Sequence, residues 1–273
     1  MKKIIEYMLE EDEGFGDITS NTLIDRKKKV TAIISSKENG ILAGIDVIKE
    51  ILEFYNIEII FSLKDGSEIS KNDKLLEIKG NARTILLLER SILNLMMRMS
   101  GVATYTHNIV EKIESKCIIA GTRKTSPGLA KFDKIAISIG GGDTHRFSLD
   151  DLVLIKDNHI AIVGSPLKAL KLAKSKVSFS KKIEIEVETI GDAIDCAKNG
   201  ADIIMLDNMS IVSIKNILNE LNNLKIRDNV LIEVSGEINN ENILDYATTG
   251  IDIISLGALT HSSRSLNFSL NIV

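Results

Sequence analysis

The chain has 273 residues but no tryptophan, only two prolines, two cysteines and 4% aromatic residues. Scarce proline, with abundant Ile, Leu and Lys, excludes a disordered or linker-like chain and favours regular elements. Two cysteines exclude a disulfide scaffold. Cys117 and Cys196 both lie in apolar stretches and read as small buried hydrophobes in a reducing compartment. An excess of positive charge is also missing. The formal net charge of −4 argues against a nucleic-acid binder, which carries a basic face. No run approaches the ~20 apolar residues of a membrane span. The opening MKKIIEYMLEEDEG lacks the apolar core of a signal peptide and reads as a helix, so a cytoplasmic location is expected.

What is present, at 44% hydrophobic and 26% charged, suffices for one large domain or two smaller ones. The first hundred residues mix strands, at Val30 to Ser36 and Lys74 to Lys79, with a helix over Val47 to Tyr55. From Ala82 to about Glu114 the spacing of Leu86, Arg90, Leu93 and Met97 is helical, with Gly101 a possible break. From Cys117 onward short apolar strands alternate with helices. The strands are Cys117 to Ala120, Leu152 to Ile155, Ile183 to Val187, Ile203 to Leu206, Leu231 to Val234 and Ile253 to Leu256, with one more expected near Ile135 to Ile139. Helices read at Gly191 to Asn199, Ile211 to Leu224 and Glu241 to Thr249. Such alternation implies a parallel sheet with helical crossovers, here an open or incomplete barrel.

In a parallel barrel the chemistry sits at the carboxyl ends of the strands. Arg123, Lys124 and Lys156 follow two of those strands, and His145 and Arg146 follow Gly140 to Gly142. Cations converging from separate strand ends suit a small, strongly anionic ligand, such as a dicarboxylate or a phosphate. The plain alternative is a solvated loop. Glu184, Glu186 and Glu188 alternate with apolar residues, so they are expected to face the barrel interior, where they need cations or a metal. Glu186 and Asp207, on neighbouring strand ends, suit Mg²⁺; the alternative is a salt-bridge network without metal. Ser235, Gly236 and Gly257 end the last strands, where small residues let backbone N–H groups approach a phosphate, or simply turn the chain. Lys156 also admits a Schiff-base reading, as in a barrel lyase.

The motifs EDEGFGDITS, ERSILNLMMRMSGVAT, GTRKTSPGL, GGGDTHRF, LVLIKDNHI, EIEVET, ADIIMLDNM and ISLGALTHS, in this order and spacing, resemble those of the quinolinate phosphoribosyltransferases over nearly the full chain. The resemblance implies an N-terminal α/β sandwich (1–103, rejoined by 259–273) and an open, roughly seven-stranded parallel α/β barrel (104–258). It implies transfer of phosphoribosyl from phosphoribosyl pyrophosphate to quinolinate, with decarboxylation. By it, Arg123, His145, Arg146 and Lys156 hold the quinolinate carboxylates, and Arg90 reaches the same pocket from the partner of a homodimer. Lys124, Glu186, Asp207, Ser235, Gly236, Gly257 and His261 surround phosphoribosyl pyrophosphate and Mg²⁺. Lys124, Lys156, Glu186 and Asp207 are the residues implied in catalysis. One departure is Ser235-Gly236-Glu237, where the family has Ser-Gly-Gly; it sets a carboxylate beside an expected phosphate site. Among relatives of other function, the molybdenum-transport-associated homologue stays as the alternative, although Asp207-Asn208 favours the quinolinate family; the more remote nicotinate and nicotinamide phosphoribosyltransferases, whose substrates carry at most one carboxylate, need fewer cations than the five gathered here.

Overall fold

Alternating burial along Lys29–Ser36 marks a strand with one covered face: Ala32, Ile34 and Ser36 are buried and their neighbours are not. This strand (β1) belongs to a computed structural model that describes residues 2–273, Lys2 without its side chain. The described residues divide into two compact units. The first comprises residues up to His107, Ser126–Gly141 and Ser262–Val273; the second comprises Asn108–Thr125 and Gly142–His261.

In the first unit β2 is Gly40–Ile41, β3 Glu58–Ser62, β4 Glu68–Ile69 and β5 Lys74–Asn81. The C-terminal strand Phe268–Ile272, β1, β5 and β3 form an antiparallel sheet in that order. The helix Ile45–Phe54 buries Ile45, Val47, Ile48, Ile51 and Leu52 at helical spacing.

The helix Ala82–Lys112 runs unbroken through Gly101, so the expected break is absent. Glycine is there for contact: a Cβ at position 101 would lie 2.1 Å from the carbonyl oxygen of Arg264. The strand expected near Ile135 to Ile139 is instead part of the helix Ala130–Ile139. The apolar alternation of IAISI misleads; the buried apolar residues are Phe132, Ala136 and Ile137, at helical spacing. Asp133 on this helix is fully buried and takes two hydrogen bonds from Arg98, each 2.8 Å. Gly140, the first of the three glycines that follow, is packed in the same way. A Cβ on Gly140 would meet the Ala103 carbonyl oxygen at 2.4 Å.

The second unit is built on six parallel strands: β6 (Ile118–Gly121), β7 (Val153–Ile155), β8 (Ile183–Val187), β9 (Ile203–Asp207), β10 (Leu231–Ser235) and β11 (Ile253–Leu256). Their order is β6-β11-β10-β9-β8-β7. The free side of β6 is met by one further parallel bridge, Ala120 to Asp143, which occupies a seventh position without forming a strand. Hydrogen bonds from Asp143 N to Ile119 O (2.7 Å) and from Gly121 N to Asp143 O (2.9 Å) fix it. The helices Pro166–Lys176, Ile190–Lys198 and Ile211–Asn223 connect successive strands, each opened by a Ser or Thr side chain capping a backbone N–H. Both cysteines are unpaired, and burial pushes the Cys196 thiol up to about 12 and that of Cys117 to about 11. Among the described residues no helix is long and apolar enough to cross a membrane.

Gly101→Ala tests the contact reading. In an open helix interior this change stabilises by roughly 1 kcal/mol. Here the added methyl collides with backbone, and overpacking of this kind typically costs about 1–3 kcal/mol. The thermal midpoint is expected to fall by several degrees; a rise would show that position 101 is not packed.

Candidate active site

Register decides which side chains of the second unit face inward. Glu186 of β8 pairs with Met205 of β9, which pairs with Glu233 of β10; two residues further along, on the same face, Asp207 meets Ser235. These positions line a cavity of about 1150 Å³ at the carboxyl ends of the strands. The cavity gathers Arg123 and Lys124 beyond β6, Lys156 beyond β7, and His145 and Arg146. Glu186, Asp207, Ser235 and Gly236 also line it. Gly257 and His261 are not among its lining residues but flank Lys124: a Cβ on Gly257 would lie 3.0 Å from both Lys124 Cδ and His261 Nε2. Arg90 is an exposed residue of the helix Ala82–Lys112, in the first unit, and does not line this cavity.

The cations are not bare. Lys156 Nζ forms a very short ion pair with Glu186 Oε2. Its side chain is also 42% exposed. That is not the buried, unpartnered amine a Schiff-base lysine requires. Arg146 is partly buried; desolvation, then repulsion from Arg123, lowers its pKa, and Glu184 opposes this. Two guanidinium groups held within each other's field are arranged for a shared anion.

His145 has a left-handed backbone, φ 52°, held by a hydrogen bond from its own N–H to Asp143 Oδ1 (2.6 Å). Its Nε2 lies 3.2 Å from Glu233 Oε2, in line for a hydrogen bond, and 3.1 Å from Glu184 Oε2 as an ion pair. Burial opposes protonation of the ring, but the two carboxylates outweigh it and raise the pKa to about 10. Glu184 is itself raised, first by burial, then by the charge of Glu233 against the pull of His145. The three ligand atoms lie close enough together to surround a cation, and the ring nitrogen is placed to hydrogen-bond the Glu233 carboxylate.

Of the expected row of three glutamates, Glu184 and Glu186 face inward and Glu188 does not. The strand ends at Val187, and Glu188 is exposed where the chain turns to let Thr189 cap the next helix. Glu233, Asn208 and Ser255 line the cavity without having been expected as site residues from the sequence. For Glu233 the signal exists: one acid at an inward position in the apolar strand LIEVS, as for Glu184. Asn208 ties two strand ends, its Nδ2 donating to Asp207 Oδ2 (2.9 Å) and its Oδ1 accepting from Glu237 N (3.1 Å). That tie requires glycine at 236, where φ is 120° and a Cβ would lie 2.2 Å from Asn208 Oδ1. Glu237 stands exposed among the lining residues.

Glu186 and Asp207 are hard oxygen donors in one open cavity. Each has one carboxylate oxygen already engaged, by Lys156 and by Asn208 respectively. A second oxygen on each suits Mg²⁺, which takes one or two carboxylates and completes its shell with water and phosphate.

Two protein-family models match consecutive parts of the chain. Quinolinate phosphoribosyl transferase, N-terminal domain, covers residues 17–100, and the C-terminal domain of the same family covers residues 102–271. The probable nicotinate-nucleotide pyrophosphorylase [carboxylating] of Methanothermobacter thermautotrophicus is 47% identical, over 100% of this chain and 99% of its own. That of Methanocaldococcus jannaschii is 49% identical, over 99% of this chain and 96% of its own. The crystal structure of a nicotinate-nucleotide pyrophosphorylase from Ehrlichia chaffeensis is similar with a TM-score of 0.93 at 36% identity, covering 100% of this chain and 98% of that one.

The charged imidazole should be visible in stability. A histidine whose folded pKa is raised to about 10 stabilises fully below its unfolded value, ~6.5, and loses that contribution as pH rises through 10. The difference in thermal midpoint between the native chain and His145→Gln should therefore be largest near pH 6 and shrink toward pH 10. A difference that grows with pH would show that the ring is held neutral.

Proposed function

Because the chain belongs to the quinolinate phosphoribosyltransferase family, we propose that its barrel cavity binds quinolinate and phosphoribosyl pyrophosphate side by side. The activity is that of a nicotinate-nucleotide pyrophosphorylase (carboxylating), in NAD biosynthesis. Quinolinate and phosphoribosyl pyrophosphate give nicotinate mononucleotide, pyrophosphate and CO₂. The observation that carries the site assignment is the convergence of Arg123, His145, Arg146 and Lys156 on one cavity from separate segments. Two planar guanidinium groups and an imidazolium match two adjacent carboxylates, where a monocarboxylate would leave a cation unpaired.

In this reading Arg123, Arg146 and His145 hold the acid with its ring nitrogen toward C1 of the phosphoribosyl group. Lys124, Ser235, Gly236 and the Gly257–His261 turn take the phosphates. Mg²⁺, held by Glu186 and Asp207, would neutralise the charge that develops on the departing pyrophosphate. As that bond lengthens, the ribose gains oxocarbenium-like charge and the ring nitrogen attacks C1. The pyridinium so formed stabilises an electron pair on C2; the carboxylate on C2 leaves as CO₂, and the pair left behind takes up a proton from solvent to give the C–H bond of the product. Arg and His contacts retain the other carboxylate through the sequence. No covalent bond to the protein is needed; positioning and electrostatics supply the catalysis. A cytoplasmic homodimer is the form we propose to be active, with exposed Arg90 completing the partner's cavity.

Incubation of the purified protein with quinolinate, phosphoribosyl pyrophosphate and Mg²⁺ should yield nicotinate mononucleotide. Nicotinate in place of quinolinate should lower kcat/KM by roughly 10- to 100-fold, the cost of stranding a buried charge at ~1.5–3 kcal/mol. Comparable values for the two acids would overturn the carboxylate assignment. The shared site is tested by mixing inactive Arg90→Ala with inactive Lys156→Ala under conditions of subunit exchange. A mixed dimer then holds one site with both defects and one with neither, so about half of native activity per mixed dimer should return. No recovery after proven exchange would show that Arg90 serves its own chain or none.

A further inference from the structure

Two carboxylates buried beneath a cavity for anions oppose the binding they sit beside. Glu184 and Glu233 are both fully buried, and three of their four oxygens receive no hydrogen bond. The reaction just described gives neither of them a substrate contact. What they share is His145, whose Nε2 stands within 3.2 Å of both. Nδ1, the other ring nitrogen, makes no hydrogen bond to a described residue.

Which way Nδ1 is polarised decides what it can bind. A neutral ring that donates from Nε2 has a lone pair on Nδ1 and repels a carboxylate; a ring protonated on both nitrogens donates from both. We propose that Glu233, assisted by Glu184, is a positioning residue that keeps His145 protonated on both nitrogens, so that Nδ1 donates to a carboxylate of the acid substrate. The proposal rests on the functional reading above for the substrate, but not for the state of the ring.

The other charges around the ring do not reverse this. From its own segment come Asp143, bonded to the His145 backbone, and Arg146, whose charge acts on Glu184. Arg123, beyond β6, acts on Arg146. Lys156 and Glu186 neutralise each other. The carboxylates of β8 and β10 are the groups in contact with Nε2, and they prevail over burial. The same contact fixes the ring in place, since a left-handed backbone at position 145 leaves its direction to Asp143 and the two glutamates.

Ligand-free protein labelled at its four histidines should be titrated by NMR from pH 5.5 to 10.5, with His145→Gln to identify the resonance. In native protein the His145 ring should remain protonated beyond pH 9. In Glu233→Gln, which keeps the shape and an acceptor but loses the charge, it should titrate at least one pH unit lower. In parallel, KM for each substrate and kcat are measured at pH 6.5 and 9. For Glu233→Gln the rise in quinolinate KM between the two pH values should exceed the native rise by roughly 10-fold, the scale of a lost charge-assisted hydrogen bond. KM for phosphoribosyl pyrophosphate should change less than about two-fold over the same interval, and Glu233→Asp should recover most of the loss. If Glu233→Gln does not fold, Glu184→Gln should move both readings in the same direction. An unchanged His145 titration, or a loss that falls on kcat or equally on phosphoribosyl pyrophosphate, overturns the proposal. A ring that titrates as expected in a native protein making no nicotinate mononucleotide overturns the functional reading instead, leaving the carboxylate pair's hold on His145 intact.

Discussion

Cations gathered in one cavity repel one another, and the barrel holds them there by setting carboxylates among them. Arg123 and Arg146 feel each other's charge, Lys156 is tied to Glu186, and His145 lies between Glu184 and Glu233. The parallel sheet makes this possible. Alternate residues of β8 and β10 point inward, so an acid in an otherwise apolar strand is delivered beneath the loop that carries the cations. A buried ion cluster of this kind is a poor source of stability. Its use is orientation: the strands are rigid, and the charged groups inherit that rigidity before any ligand arrives.

The cluster also separates two levels of the site. Glu184 and Glu233 lie within the strands, with Met205 and Ser255 nearby on the inner face. Lys156, Asp207 and Ser235 lie at or just beyond the strand ends. The lower level sets charge states and the upper level offers contacts. Asn208 braces the upper level by joining the ends of β9 and β10, its backbone N–H bonding to Ser235 O at 3.0 Å while its side chain holds Asp207 and Glu237.

Much of this was legible in the sequence, for reasons that differ by element. Ile183–Val187 and Ile253–Leu256 were readable to the residue because short apolar runs bounded by polar turns have few alternative placements. The cations and Asp207 could be placed at one end of the barrel because strand ends in a parallel sheet share a side. The helix Ala130–Ile139 was misread because five residues of IAISI satisfy both periods, and only the more distant Phe132 separates them. Gly101 suggested a break since propensity is local, while the carbonyl of Arg264 that demands a glycine is far along the chain. Glu233 passed unnoticed because a single acid in a strand carries no period, although its inward position follows from the same alternation that picked out Glu184. Glu188 shows the converse: alternation continued on paper past the residue where the strand stops.

An open barrel has two free edges, and free edges recruit other strands. Here one edge, β6, is blocked by the single bridge at Asp143, whose N–H and carbonyl satisfy Ile119 and Gly121. The other, β7, is three residues long, too short to template pairing with a foreign chain. The fold can therefore leave its wall incomplete without inviting aggregation.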